Sequence, residues 1–203
     1  RILALGADPQ RCHVAGNLKF DAAAREVPGA DLVALRASWG LTAETPLIIA
    51  GSTHPGEEEI LLEAFEEVLK SLPDARLLVA PRHVERAPEV AALVRQRGLD
   101  LRRRGESGAA RVLLLDTMGE LARTYAIADV AYVGGSLAPH GGQNVLEPAV
   151  YGVAAVFGPH MFNFAEICER LLAVDGAWQV QHGKEVAQAL LSLLTDPSRR
   201  RKM

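Results

Sequence analysis

Leu47-Ile48-Ile49-Ala50-Gly51 leads into residues 60–72 and then into Leu77-Leu78-Val79-Ala80-Pro81. The outer two segments are short apolar runs, each ended by Gly or Pro, and read as buried strands. Between them Ile60, Leu61, Ala64, Phe65, Val68, Leu69 and Leu72 fall at helical spacing, and Pro73-Asp74 closes that helix. A strand apolar on both faces needs cover on both faces, so the unit predicts parallel strands joined by a crossover helix. The same alternation runs to the end of the chain. Strands are expected at 112–115, 130–133, 154–157 and around Val180. Helices are expected at 85–97 (stopped by Gly98), 118–126, 145–151, 164–172 and 185–194. Right-handed crossovers then give an α/β, Rossmann-like, doubly wound parallel sheet.

The composition suits one sizeable domain: 203 residues, 49% hydrophobic and 23% charged. A net charge of −3 gives no electrostatic footprint for nucleic acid. Arg102-Arg103-Arg104 falls where the pattern reads as a loop, a place for a solvated patch. A second basic run, residues 199–202, suits contact with anionic lipid. Cys12 and Cys168 make no disulfide framework and point to a reducing compartment. No apolar stretch approaches a membrane span and no signal peptide is visible, so the piece is expected to be soluble. The chain opens on Arg and is expected to be part of something longer, with residues 1–12 as an interdomain linker and 13–203 as the domain.

In such a sheet, ligands bind where loops leave the carboxyl ends of the strands. Polar and glycine residues concentrate there. The richest segment is Gly134-Gly135-Ser136-Leu137-Ala138-Pro139-His140-Gly141-Gly142-Gln143-Asn144-Val145-Leu146-Glu147-Pro148. Its glycines let backbone approach a ligand. Pro148 requires a helix to start around Asn144 or Val145, where free N–H groups favour a phosphate and Glu147 can accept two ribose hydroxyls. Asn144 also fits a plain helix cap, with Glu147 complementing the dipole. Ser52 and Thr53 follow the first strand and suit either a phosphate or a cap. Glu57, Glu58 and Glu59 would repel an anion, and are expected on the solvent side. Arg82, next to His83, offers a planar fork for phosphate or carboxylate. Thr117-Met118-Gly119-Glu120 fits a capping box, or a backbone shelf for a nucleobase. There is no P-loop, no GxSxG elbow, no HExxH and no Asp-x-Asp pair, so neither a metal nor a cofactor is called for.

These segments resemble those of the Kdo transferases, glycosyltransferases of the GT-B fold. The resemblance covers most of the chain. It rests on Gly16-Asn17-Leu18-Lys19-Phe20-Asp21, residues 50–58, Ala80-Pro81-Arg82-His83, residues 117–121, 134–148 and 157–164, in order and spacing. It implies the C-terminal, nucleotide-sugar-binding half of an enzyme that moves Kdo, an acidic eight-carbon sugar, from CMP-Kdo to the lipid A precursor in lipopolysaccharide biosynthesis. By motif, Glu147 would take the ribose hydroxyls. Ser52, Thr53, Arg82, Ser136 and Asn144 would surround the phosphate and the sugar carboxylate, with His83 and Gly135 beside them. Met118, Gly119 and Glu120 would lie near the cytidine, and Lys19 would reach the sugar. The family's catalytic base is a Glu of an N-terminal acceptor domain that has no counterpart here, so this chain is expected to bind donor without transferring it. Acceptor and most membrane contact would belong to that other half, at the cytoplasmic face of the bacterial inner membrane. Two rivals stay open: a UDP-sugar transferase or epimerase of the same fold, and a nucleotide-binding module without chemistry.

Overall fold

The computed structural model describes residues 2–13 and 28–203. The apolar runs form seven strands: β1 (Leu47–Thr53), β2 (Arg76–Pro81), β3 (Leu101–Arg103), β4 (Val112–Leu114), β5 (Val130–Val133), β6 (Ala154–Phe157) and β7 (Ala177–Gln179). They make one sheet of order β3-β4-β2-β1-β5-β6-β7 in which every pair is parallel. Chain order turns back between β1 and β5. Ile48 lies level with Leu77 on one side and Val130 on the other, so the carboxyl ends of the three central strands finish together.

Alternate residues of each strand feed opposite faces. Ile48, Ala50, Leu77, Val79 and Tyr132 share one core with Leu61, Phe65 and Val68 of α2 (Glu57–Ser71), Val90 and Val94 of α3 (Ala87–Gln96), and Leu190 and Leu193 of α7 (Val186–Thr195). Leu47, Ile49, Leu78 and Ala131 face Trp39, Tyr125 and Ile127, with Leu32 and Leu35 of α1 (Gly29–Ser38) packed alongside. Beyond β6, Phe157 meets Ile167 and Cys168 of α6 (Ala165–Ala173). Two short helices lie near the carboxyl edge, α4 (Leu121–Thr124) and α5 (Leu146–Ala149), and α8 (Pro197–Lys202) ends the chain.

Three expectations need correction. The segment read as a loop around Arg102 is strand β3, and Arg102 is 6% exposed. Its guanidinium donates to the Gly108 carbonyl at 2.8 Å and sits 5.9 Å from the Trp39 ring, with Arg104 at 5.0 Å from the same ring. The aromatic face and a carbonyl replace the water that a solvated patch would need. Second, the basic run at the end is partly engaged by the protein itself. Arg199 stacks 4.0 Å from the Trp178 ring, and Arg200 pairs with Asp129 at 3.2 Å. Third, Glu57 and Glu58 are buried, at 1% and 0% exposure, rather than solvent-facing.

Among the described residues, no helix is long and apolar enough to cross a membrane.

Candidate functional site

The β1–α2 turn supplies the scaffold of the site. α2 begins so that Glu57 precedes Leu61 by one turn and Glu58 precedes Leu62 by one turn, which puts both carboxylates on the buried stripe. Glu57 points across the switch between β1 and β5. Its oxygens accept the backbone N–H groups of His54 (3.0 Å), Gly135 (2.7 Å), Ser136 (3.0 Å) and Leu137 (3.0 Å), and the Tyr132 hydroxyl (2.9 Å). A buried carboxylate needs this many donors to replace its hydration. Glu58 accepts the Thr53 hydroxyl at 2.8 Å and pairs with Arg86 at 2.7 Å.

This scaffold engages three of the expected residues within the fold. The Gly135 and Ser136 N–H groups are taken by Glu57 rather than left for a phosphate. The Ser136 hydroxyl donates to the Val133 carbonyl (2.6 Å) and accepts from Gly158 N–H (2.9 Å), inside the fold. Thr53 is fully buried against Glu58. The glycines serve close packing. A Cβ on Gly134 would lie 2.3 Å from the Ser52 carbonyl oxygen, and one on Gly158 2.4 Å from that of Ser136.

Five expected residues do converge. Ser52, Arg82, His83, Met118 and Gly119 line one cleft of about 370 Å³ at the carboxyl ends of β1, β2 and β4. Ser52 sits at φ 54°, where the β1–β2 register shifts between Gly51 and Thr53. That left-handed conformation is costly for a residue with a Cβ, and such positions cluster at functional sites. The Arg82 N–H is fixed to the Thr53 carbonyl at 2.9 Å, which anchors the second loop to the first. Met118 is 82% exposed, an apolar side chain standing in solvent at the cleft wall.

Glu147 lies within electrostatic reach of Arg82. Burial pushes its carboxyl above the usual Glu range, while a hydrogen bond from the Asn144 amide (3.4 Å) and the Arg82 charge pull it partly back. Asn144 also accepts the Leu146 N–H at 3.2 Å through its side-chain oxygen, although the cap position of α5 itself is Val145, which makes no side-chain cap. Glu120 contributes structure instead. It bonds the Thr117 hydroxyl and takes Arg104 at 2.9 Å, which holds its carboxyl below the usual range. The reciprocal backbone bonds of a capping box do not form there, because each side chain is engaged by the other. Lys19 lies outside the described residues.

The sequence reading missed His54, His140 and Gln143. His54 and His140 stack at 4.2 Å with 17° between their planes, and Gln143 Nε2 stands 3.3 Å from His54 Nε2. Single histidines in separate loops carry no sequence signal of their meeting. Among the described residues, no group of three or more His, Cys, Asp or Glu side chains is placed to hold a metal.

An all-parallel sheet with its cleft at the carboxyl ends of the strands, walled by an arginine and an exposed backbone shelf, has the form of the C-terminal half of a two-domain glycosyltransferase of the GT-B type. The comparisons agree. A 3-deoxy-D-manno-octulosonic acid transferase of Haemophilus influenzae is 35% identical over 198 residues, 96% of this chain and 46% of the relative. The crystal structure of the C-terminal CMP-Kdo binding domain of WaaA from Acinetobacter baumannii superposes with a TM-score of 0.78 at 35% identity, covering 84% of this chain and 91% of that one. The C-terminal domain of a group 1 glycosyl transferase from Francisella tularensis shares the fold, with a TM-score of 0.58 at 18% identity over 82% of this chain and 85% of that one. No protein-family model matches. The chain belongs to the Kdo transferase family, 3-deoxy-D-manno-octulosonic acid transferase. It spans about half the length of the curated relatives it matches.

Proposed function

We propose that this chain is the donor-binding half of an enzyme that transfers Kdo from CMP-Kdo to the lipid A precursor during lipopolysaccharide biosynthesis. The observation that carries the reading is the single cleft that gathers Ser52, Arg82, His83, Met118 and Gly119 beside Glu147, in a member of this family. The solved relative of 35% identity is itself a CMP-Kdo binding domain. In this reading Glu147 accepts the ribose hydroxyls and the Met118-Gly119 backbone packs on the cytosine. Arg82 and Ser52 face the phosphate, and Asn144 orients Glu147. Residues 1–12 lead from an N-terminal acceptor domain, and 13–203 form the donor domain. The whole protein works at the cytoplasmic face of the inner membrane, with its acceptor and lipid contacts in the N-terminal half.

Transfer is a direct displacement. An acceptor hydroxyl oxygen bonds to the anomeric carbon as the bond from that carbon to the CMP phosphate oxygen breaks. The hydroxyl proton passes to a carboxylate base of the acceptor domain, and CMP leaves with the bonding pair. Arg82 stabilises the charge that grows on the departing phosphate. Calorimetric titration with CMP and UMP tests the reading. CMP binding stronger than UMP binding is expected in the wild type, with affinity for both weakened in Glu147→Ala; stronger binding of UMP would point to a UDP-sugar enzyme. Kdo transfer is expected only when the N-terminal half is restored, and turnover by this chain alone would overturn the assignment of the base.

A further inference from the structure

His54, His83 and His140 come from three different loops and meet beside Arg82. His54 stacks on His140 at 4.2 Å and meets the His83 ring edge-on at 6.0 Å. The groups that face His54 are His140, Glu57, His83 and Arg82. Burial, then His140, hold the His54 imidazole below its ordinary value of 6.5, and Glu57 alone opposes them. Glu57, however, already accepts five hydrogen bonds. The Gln143 side-chain amide stands 3.3 Å from His54 Nε2, within hydrogen-bond reach.

Among the described residues, the neighbouring arginines of this edge are occupied. Arg86 is tied to Glu58 and Glu89, Arg103 to Asp116, and Arg104 to Glu120. Arg82 has no ion-pair partner among the described residues. A nucleotide-activated sugar acid brings two anions here, a phosphate diester and the carboxylate on the anomeric carbon. One guanidinium can face one of them. The second needs its own partner, and three imidazoles stand next to the first.

We propose that the stacked His54–His140 pair, backed by His83, is the subsite for the sugar carboxylate, with Arg82 facing the phosphate. The inference rests on the donor reading above. A carboxylate arriving against the stacked pair favours a proton on the His54 ring, so binding takes up a proton. The Gln143 amide turns its oxygen to receive the new N–H. Selectivity for the charged sugar therefore strengthens as pH falls through the histidine range.

The test is calorimetric titration of this chain with CMP-Kdo and with the methyl ester of CMP, which keeps a phosphate diester and lacks the carboxylate. It is run from about pH 6 to about pH 8, in buffers of different ionisation enthalpy. Proton uptake is expected with CMP-Kdo and not with the ester, and the preference for CMP-Kdo grows toward low pH. His140 is exposed, so its replacement leaves the core intact. His140→Ala should reduce the preference about tenfold and leave affinity for the ester within about twofold. His140→Lys should keep the preference and flatten its pH dependence, which a purely structural ring would not do. Equal loss of both ligands in His140→Ala, or no change in either, overturns the subsite. If the wild type binds the ester but gains nothing from the sugar acid, the subsite falls and nucleotide binding stands. If it binds neither, the donor reading falls and takes the subsite with it.

Discussion

Glu57 and Glu147 are both carboxylates near the same edge, and their surroundings give them opposite tasks. Glu57 is saturated by N–H and O–H donors, so it holds loops together. In Glu57→Gln an amide N–H₂ replaces one oxygen and faces donors, leaving buried N–H groups without acceptors. A loss of about 3 kcal/mol is expected. In a chain of this size that lowers the melting temperature by roughly 6–12 °C, which thermal denaturation followed by circular dichroism would read. Glu147 is half-buried and lacks such a set of donors, so burial raises its carboxyl value. A carboxyl raised on folding favours the fold below its unfolded value, and that contribution is lost as pH rises through the folded value. At neutral pH the ionised group therefore weakens the free protein. Glu147→Gln should raise the melting temperature at pH 7.5 and change it little at pH 4. Under the donor reading the same substitution weakens CMP binding by roughly ten- to hundredfold, the worth of hydrogen bonds to a charged acceptor.

Among the elements, close approach governs. A Cβ on Gly51 would lie 1.8 Å from the Tyr125 hydroxyl oxygen, because β1 passes directly under the turn after α4. Gly51→Ala should destabilise by about 1–3 kcal/mol, measured as a lower urea midpoint; an unchanged midpoint would mean that the turn yields freely. The long, periodic elements were legible in the sequence. Ile60 to Leu72 spaced itself as a helix, and the apolar runs of β1, β2, β5 and β6 stand where their composition placed them. β3 was not legible, because Leu101-Arg102-Arg103 carries two charges and its burial depends on Trp39, far away in sequence. The cleft residues Ser52, Arg82, His83, Met118 and Gly119 were legible because each lies at or a few residues beyond the carboxyl end of a strand. The inward turn of Glu57 had a signal, its place one helical turn before Leu61, but the run of three acids masked it. The N–H groups of Gly135 and Ser136 are taken by that hidden carboxylate, and the Thr53 hydroxyl by its neighbour Glu58, pairings that no local pattern announces.

At the scale of the molecule, the cleft and the core are one cooperative object, since the strand ends that shape the cleft are central strands of the sheet. Under the donor reading, ligand binding should therefore raise global stability. CMP at a hundred times its dissociation constant is expected to add about 2.7 kcal/mol, a rise of roughly 5–11 °C in melting temperature, with less from UMP at the same concentration. Scanning fluorimetry would check it, and a flat response would separate the cleft from the core. The bridge from Glu57 to the β5 loop spans 78 residues of chain. During synthesis, residue 57 leaves the ribosome long before residue 135 exists, so its carboxylate must wait in water while β1 and α2 assemble. The donors that receive it arrive only with β5. Nascent chains halted before that point would carry an unfinished pocket, and nucleotide would shield them from protease no better than buffer does. Under the donor reading, ligand capture thus marks the moment at which translation of this domain has passed the middle of the sheet.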